Sequence, residues 1–427
     1  MFETISRSRK PRGEIKGIPE DFIVEEITES FKTLRIDTKV DIGDAGYNDP
    51  NPQNNRRFCV FVMQKRGWNT AQALKAIANR FGRGQGSVGF AGTKDRRAVT
   101  TQLCSIYGVS AAQLYGMDIK DIRINGAWES GSHVRVGELA GNEFGIRFRE
   151  LESGIDIEGY GYDTFPNYFG PQRFGFRGNN VSIGVNILRG DFEGAVMEFL
   201  TSTRNETDTE SVEARMRLER ERDFSEALRY FPGYLKYERT LIDYLSRHPD
   251  DYSNAIRKLP RQLTMMFIHS VEGEIFNSVL SERVRDMELE PLHNDIVCGS
   301  NGFGFPDYNN IHRYDGRAGV RGRFIVGRII GYDTDEVGDL ERDEMDRLGI
   351  SLNSFRMPEV PEIRCGGGFR VLFAPVKGLS YTDETETMRF ALPSGSYATV
   401  LLNEFIRTEE NKILEAPRPG VGPESQA

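Results

Sequence analysis

Between Gly89 and Gln102 the chain reads Gly-Phe-Ala-Gly-Thr-Lys-Asp-Arg-Arg-Ala-Val-Thr-Thr-Gln, so one carboxylate, Asp95, stands among three cations, Lys94, Arg96 and Arg97. Glycines let a backbone come close to a ligand. Neighbouring cations hold a carboxylate ionised, and the same groups attract phosphate. The pattern therefore offers a reactive carboxylate beside a phosphate-bearing ligand. A solvated surface turn has the same composition, and the remaining sequence has to separate the two.

A second cluster, Phe165-Pro-Asn-Tyr-Phe-Gly-Pro-Gln-Arg-Phe-Gly175, interleaves aromatic rings with Asn167, Gln172 and Arg173. An unstacked base can use such a set: a ring face for stacking, amides for polar edges and a guanidinium for phosphate. The alternative is an aromatic turn buried for packing. Gly84-x-Gly86-x-x-Gly89 matches the spacing of the dinucleotide fingerprint, but that motif needs a strand before it and a helix after it. Here a helical pattern precedes and an extended Gly-Phe-Ala-Gly segment follows. The match is read as a chance product of a glycine-rich loop.

The chain has 427 residues, more than one hydrophobic core usually supports, which predicts two domains with room for a third. A net charge of −9 argues against a nucleic-acid partner until its distribution is read. Residues 1–110 hold 18 Lys and Arg against 12 Asp and Glu, a net +6, and the remainder carries −15. A basic first quarter can face RNA while the acidic rest keeps the chain soluble. Cys59, Cys104, Cys298 and Cys365 lie far apart with no matching His spacing. They predict reduced, structural thiols of a cytoplasmic protein rather than disulfides or a metal site. The first ten residues lack the apolar core of a signal peptide, and no window reaches the length of a membrane span.

The elements that must carry these residues follow from periodicity. After a basic arm at residues 7–12 and a Pro19-led turn, Phe22 and Val24 predict a half-buried strand. Residues 41–57 predict a mobile loop, and Phe58–Met63 a buried strand. Asn69-Thr70 with Gln72 opens a helix with Leu74, Ile77, Ala78 and Phe81 on one face, ending at Gly82. Trp68 is expected to pack rather than bind. Residues 140–149 alternate like a strand. A helical tract broken by Pro232, Pro249 and Pro260 is expected from about 191 to 288, its charge-dense stretch 213–222 forming an exposed face and His269 a satisfied core histidine. Residues 291–334 read as strands and loops, 335–348 as helix, and Gly366-Gly367-Gly368 as a return point. Strands at 369–373 and 388–393, a turn with a closing helix over 394–407, and a frayed tail complete the chain.

Four separated stretches resemble the TruD family of tRNA pseudouridine synthases: Lys16-x-x-Pro19-Glu20-Asp21-Phe22-x-Val24, Phe90-Ala91-Gly92-Thr93-Lys94-Asp95, Asn167-Tyr168-Phe169-Gly170-x-Gln172-Arg173-Phe174-Gly175, and Leu392-Pro393-Ser394-Gly395-Ser396-Tyr397-Ala398-Thr399. The resemblance covers nearly the whole chain and is to the archaeal type. In the central tract only Phe276-Asn277-Ser278-Val279 is similar to the family pattern.

This resemblance implies a mixed α/β (α+β) catalytic domain on a largely antiparallel sheet. Residues 1–190 and 372–427 would form it, interrupted by an inserted TRUD domain at 191–371 that closes over a positive cleft. It implies isomerisation of a uridine, with position 13 of tRNA the family preference. Asp95 would act either as a nucleophile on the ribose or base, or as a base that removes a ribose proton. Lys16 would be the cation beside it. Phe169 would stack on the flipped base and Asn167 orient the base or the Asp95 loop. By their own charge Lys94, Arg96, Arg97 and Arg173 are further candidates for substrate contacts, while Tyr168 and Phe174 are expected to pack. The reaction needs no metal or other cofactor, and the partner is tRNA, met by a monomer away from membranes. A non-catalytic RNA-binding protein is the alternative, weakened by a carboxylate inside a phosphate-attracting patch.

Overall fold

A computed structural model describes residues 3–53, 57–316 and 322–408. Among them, eight strands form the main sheet: β1 (Phe22–Ile27), β2 (Phe58–Arg66), β3 (Val88–Phe90), β4 (Val99–Tyr107), β5 (Ile122–Ser130), β6 (Gly141–Arg147), β13 (Lys377–Thr382) and β14 (Thr387–Pro393). The order is β13-β14-β6-β1-β4-β2-β5, with β3 also on β4. Only β1 and β4 run parallel; every other pairing in this sheet is antiparallel.

Alternation along β2 shows why the sequence folds this way. Cys59, Phe61 and Met63 meet the helix Thr70–Arg80 through Ala73, Leu74 and Ile77, while Val60 and Val62 face a separate cluster with Leu34 and Leu103. The Asn69 side chain accepts from Gln72 N and caps the helix. Leu74 and Ile77 are fully buried there and stabilise the layer by about 1.5–3 kcal/mol each. Gly89 is required by packing: a Cβ would stand 2.2 Å from the Val134 carbonyl oxygen. The last glycine of the apparent dinucleotide fingerprint thus serves close strand approach.

Helices from Asn180 to Arg285 build a second core with Ile183, Phe267, Val271 and Phe355. Strands β7 (Thr164–Pro166), β8 (Ile296–Ser300), β9 (Pro306–Arg313), β10 (Phe324–Ile329), β11 (Gly368–Val371) and β12 (Phe373–Pro375) form a four-stranded sheet, β11-β10-β8-β9, and a β12-β7 pair. The 25-residue helix Arg261–Arg285 spans both cores: Phe267, Val271 and Ile275 pack in the second, Phe276, Leu280 and Val284 in the first.

The helical tract begins at Asn180, earlier than the expected start near 191. The closing helix is only Ala398–Leu402, and strands β4 and β5 lack the clean alternation along their full length that would have announced them. Within the charge-dense stretch, Arg215 is 1% exposed and donates to Glu238 at 2.7 Å, so that face is not wholly solvated. His269 is partly exposed and bonds Glu272 at 2.7 Å rather than sitting in the core. The four cysteines are buried and free. No helix among the described residues is long and apolar enough to cross a membrane. The tail past residue 408 lies outside the described residues.

Candidate active site

Lys16 leads into the turn that opens β1, and its backbone φ of +59° is one a lysine adopts only where its surroundings hold it. Those surroundings are on hand. Buried Asp21 accepts from Ile18 N at 2.9 Å and from Arg149 Nε and Nη2 at 2.6 and 2.8 Å. Gly17 lets the turn close, since a Cβ there would lie 3.0 Å from Asp21 Oδ2. The Arg149 guanidinium, helped by Ile18 N–H, keeps the Asp21 carboxyl below the usual carboxylate range against the opposing effect of burial. The Lys16 ammonium so placed lies 4.4 Å from the Phe22 ring centre and donates to Asp95 Oδ2 at 3.2 Å.

The loop carrying Asp95 is clamped from below. Glu26 on β1 accepts from Lys94 Nζ at 2.6 Å and from Leu103 N at 2.9 Å. Thr70 Oγ1 accepts from Lys94 N at 2.9 Å and donates to Gln102 Oε1 at 2.9 Å; Gln102 Nε2 in turn donates to Gly92 O at 2.9 Å. Lys65 Nζ, at the end of β2, donates to Asp95 O at 2.9 Å and Lys94 O at 3.4 Å. Four elements thus fix one short loop, and Asp95, 38% exposed, projects from it.

It projects into a cavity of about 590 Å³. Phe22, Val24 and Phe144 line its sheet side, and the Ser394–Tyr397 turn lines another. Asn142 Oδ1 and Ser396 Oγ, on residues lining the same cavity, are buried with no hydrogen-bond partner among the described residues. Such atoms cost stability unless something satisfies them. An apolar surface, one carboxylate paired to an ammonium, and polar atoms in waiting suit a planar, hydrogen-bonding ring attached to a sugar.

Of the residues expected at the site, Lys16 and Asp95 meet directly, and Arg96 and Arg97 are exposed beside them. Lys94 also lines the cavity, but its side chain is 3% exposed and its ammonium is paired with Glu26, so in this structure it supports the loop. Phe169 is corrected as an open stacking face. It is 5% exposed, with the guanidinium carbons of Arg173 and Arg370 4.4 and 4.3 Å from its ring centre and Phe276 against it edge-on. Arg173 accordingly meets the ring of Phe169. Asn167 is 2% exposed; it donates to Val371 O at 3.0 Å and accepts from Arg370 Nη2 at 2.7 Å. Arg370 also donates to Gly395 O at 2.9 Å, which joins the aromatic cluster to the cavity's Ser394–Tyr397 turn. Asn277 accepts from Phe169 N at 2.8 Å and donates to Phe169 O at 3.0 Å, which explains the isolated motif in the central tract. Tyr168 packs, 1% exposed.

Sequence reasoning missed Glu26, Lys65, Asn142 and Arg370. For Lys65, which lies between Gln64 and Arg66 at the polar end of Phe58–Arg66, there was no local signal.

Comparison with known proteins identifies the family. The family model described as tRNA pseudouridine synthase D (TruD) matches residues 2–405. A Thermococcus sibiricus protein named "Probable tRNA pseudouridine synthase D" is 33% identical across 95% of this chain and 97% of its own. A Methanococcoides burtonii protein of the same name is 30% identical across 84% of this chain and 89% of its own. A Methanosarcina mazei crystal structure described as "Putative tRNA pseudouridine synthase D (TruD)" superposes with a TM-score of 0.72 at 27% identity, covering 95% of this chain and 96% of that one. A match of this extent, carried by the fold as well as the sequence, makes the chain a member of the tRNA pseudouridine synthase D (TruD) family.

Proposed function

We propose that the chain isomerises a uridine of tRNA, at position 13, to pseudouridine, with Asp95 as the reacting carboxylate. The observation that carries this is the Lys16–Asp95 pair at 3.2 Å on the wall of a cavity with an apolar side. Isomerisation breaks the N1–C1′ bond, turns the uracil within the cavity and joins C5 to C1′, so no atom enters or leaves overall. The detached ring must be kept from water while it turns, and Phe22, Val24 and Phe144 supply that enclosure. Asp95 acts on the sugar or base as a nucleophile, or on a ribose proton as a base; Lys16 supports both by sharing the carboxylate's charge. A base reaches Asp95 only after leaving its stack, at a cost of a few kcal/mol that the cavity contacts offset.

We take residues 1–190 and 372–427 as the catalytic unit and 191–371 as an insertion, a division supported by strands β13 and β14 joining β6 in one sheet. The buried free thiols support a reducing cytoplasm. The test is a map of pseudouridine in tRNA treated with purified protein, beside Asp95→Asn. Wild type should modify one position. The variant should retain tRNA binding but lose turnover by at least about a thousandfold, the scale of a reacting group. Residual turnover within about tenfold would remove Asp95 from the chemistry.

A further inference from the structure

The geometry points to Lys65 as a positioning residue for the isomerisation, its ammonium holding the carbonyl groups of Lys94 and Asp95 so that the Asp95 carboxylate stays against Lys16. The inference rests on the functional reading above and concerns a residue that never touches the substrate. Lys65 is fully buried at the end of a strand whose preceding residues Phe61 and Met63 belong to an apolar core. Lysine is almost never buried this completely without an anionic partner. Here the partners are two main-chain oxygens, at 2.9 and 3.4 Å, and among the described residues Lys65 makes no ion pair.

A shorter or apolar side chain would pack there with less penalty, so the fold alone gives no reason for an ammonium. The catalytic loop does give one. Lys16 holds the Asp95 carboxylate and Lys65 holds its carbonyl, so the two lysines grip a single residue, one at its side chain and one at its main chain. Thr70 holds Lys94 N and Gln102 holds Gly92 O, which leaves the carbonyl groups of Lys94 and Asp95 to Lys65.

The charged groups around Lys65 are Asp95 and Lys94 on the loop and, through Lys94, Glu26 on β1; Cys104 on β4 is a thiol that burial keeps neutral. Burial pulls Lys65 down to about 8, with Asp95 acting in the opposite direction. The ammonium therefore persists at neutral pH and is lost above about 8. The neutral amine still donates to carbonyl groups, but without the charge that strengthens those bonds and balances Asp95.

The experiment compares wild type, Lys65→Met and Lys65→Gln by tRNA binding, kcat, kcat/KM against pH and thermal midpoint. Methionine keeps the length and removes the charge; glutamine restores one neutral donor. We expect Lys65→Met to bind tRNA within threefold of wild type and to melt no lower, while kcat falls about a hundredfold. Lys65→Gln should recover about tenfold of that. Wild-type kcat/KM should decline above pH 8, a limb reporting the free enzyme that both variants lack. A Lys65→Met kcat within twofold of wild type overturns the role, as does an alkaline limb shared by all three proteins. Unfolding of both variants overturns it too, because Lys65 would then serve the fold. Absence of pseudouridine from wild type would instead sink the functional reading.

Discussion

Arg370 and Asn167 are joined at 2.7 Å, Nη2 to Oδ1, with both side chains inside the protein. Burial lowers the Arg370 pKa only to about 10, so the guanidinium stays charged and needs every acceptor it has. Asn167→Ala removes one of them. We expect a loss of about 1.5–3 kcal/mol in denaturant unfolding, the range for a hydrogen bond to a charged group. The Ser394–Tyr397 turn, held by the same arginine, should loosen, so kcat falls with little change in tRNA affinity. A variant as stable and fast as wild type would remove this bridge from the site's support.

Phe169 separates packing from stacking. Its ring meets two guanidinium groups and Phe276, so Phe169→Ala should cost about 3–5 kcal/mol as a truncation inside a packed core. Phe169→Leu keeps most of the volume and should recover most of the stability and turnover. A leucine variant that is stable but as slow as alanine would show that a base does use the ring face.

Arg96 and Arg97 are the exposed cations nearest the reacting group by sequence, and with Arg7 and Arg9, also exposed, they offer phosphate contacts. Removing both should weaken tRNA binding and lower the slope of log affinity against log salt by about one per lost contact. Measured at several salt concentrations, an unchanged slope would place the tRNA backbone elsewhere.

Glu404 gives a pH signature in the fold rather than the chemistry. Its side chain accepts from Ser6 N at 2.8 Å, and burial pushes its pKa from 4.5 to about 7 against the effect of that bond. The folded chain therefore holds a proton there that the unfolded chain releases between those two values. The contribution is fully present below pH 4.5 and is lost as pH rises through 7. Glu404→Gln should unfold harder than wild type at pH 8, by an amount on the order of 2 kcal/mol, and nearly equally at pH 5. A difference independent of pH would show that titration plays no part.

How much of this was legible beforehand depended on direction more than on residue type. The Asp95 loop stood out because its glycines and charges are contiguous. Its neighbours did not reveal which way they point: along an extended loop Lys94 turns down to Glu26 while Asp95 turns to the cavity. The aromatic cluster was visible, yet whether a ring lies open or covered is set by Arg370, 203 residues beyond Asn167. Lys65 and Glu26 went unread because each stands beside another polar residue, Arg66 and Glu25, and only tertiary contact shows which one meets the Asp95 loop.

The pairing of β14 with β6, Thr387 against Arg147, also sets an order of events during synthesis. At the usual rate of translation the interval between those residues takes on the order of 10–50 s. Until it passes, β6 has β1 on one side and an unpaired edge on the other, next to Phe144. Such an edge is a template for unwanted pairing. A nascent chain is therefore both inactive and most prone to aggregate while the intervening residues are being made. Chains truncated before Thr387 should depend on chaperones far more than the finished protein does.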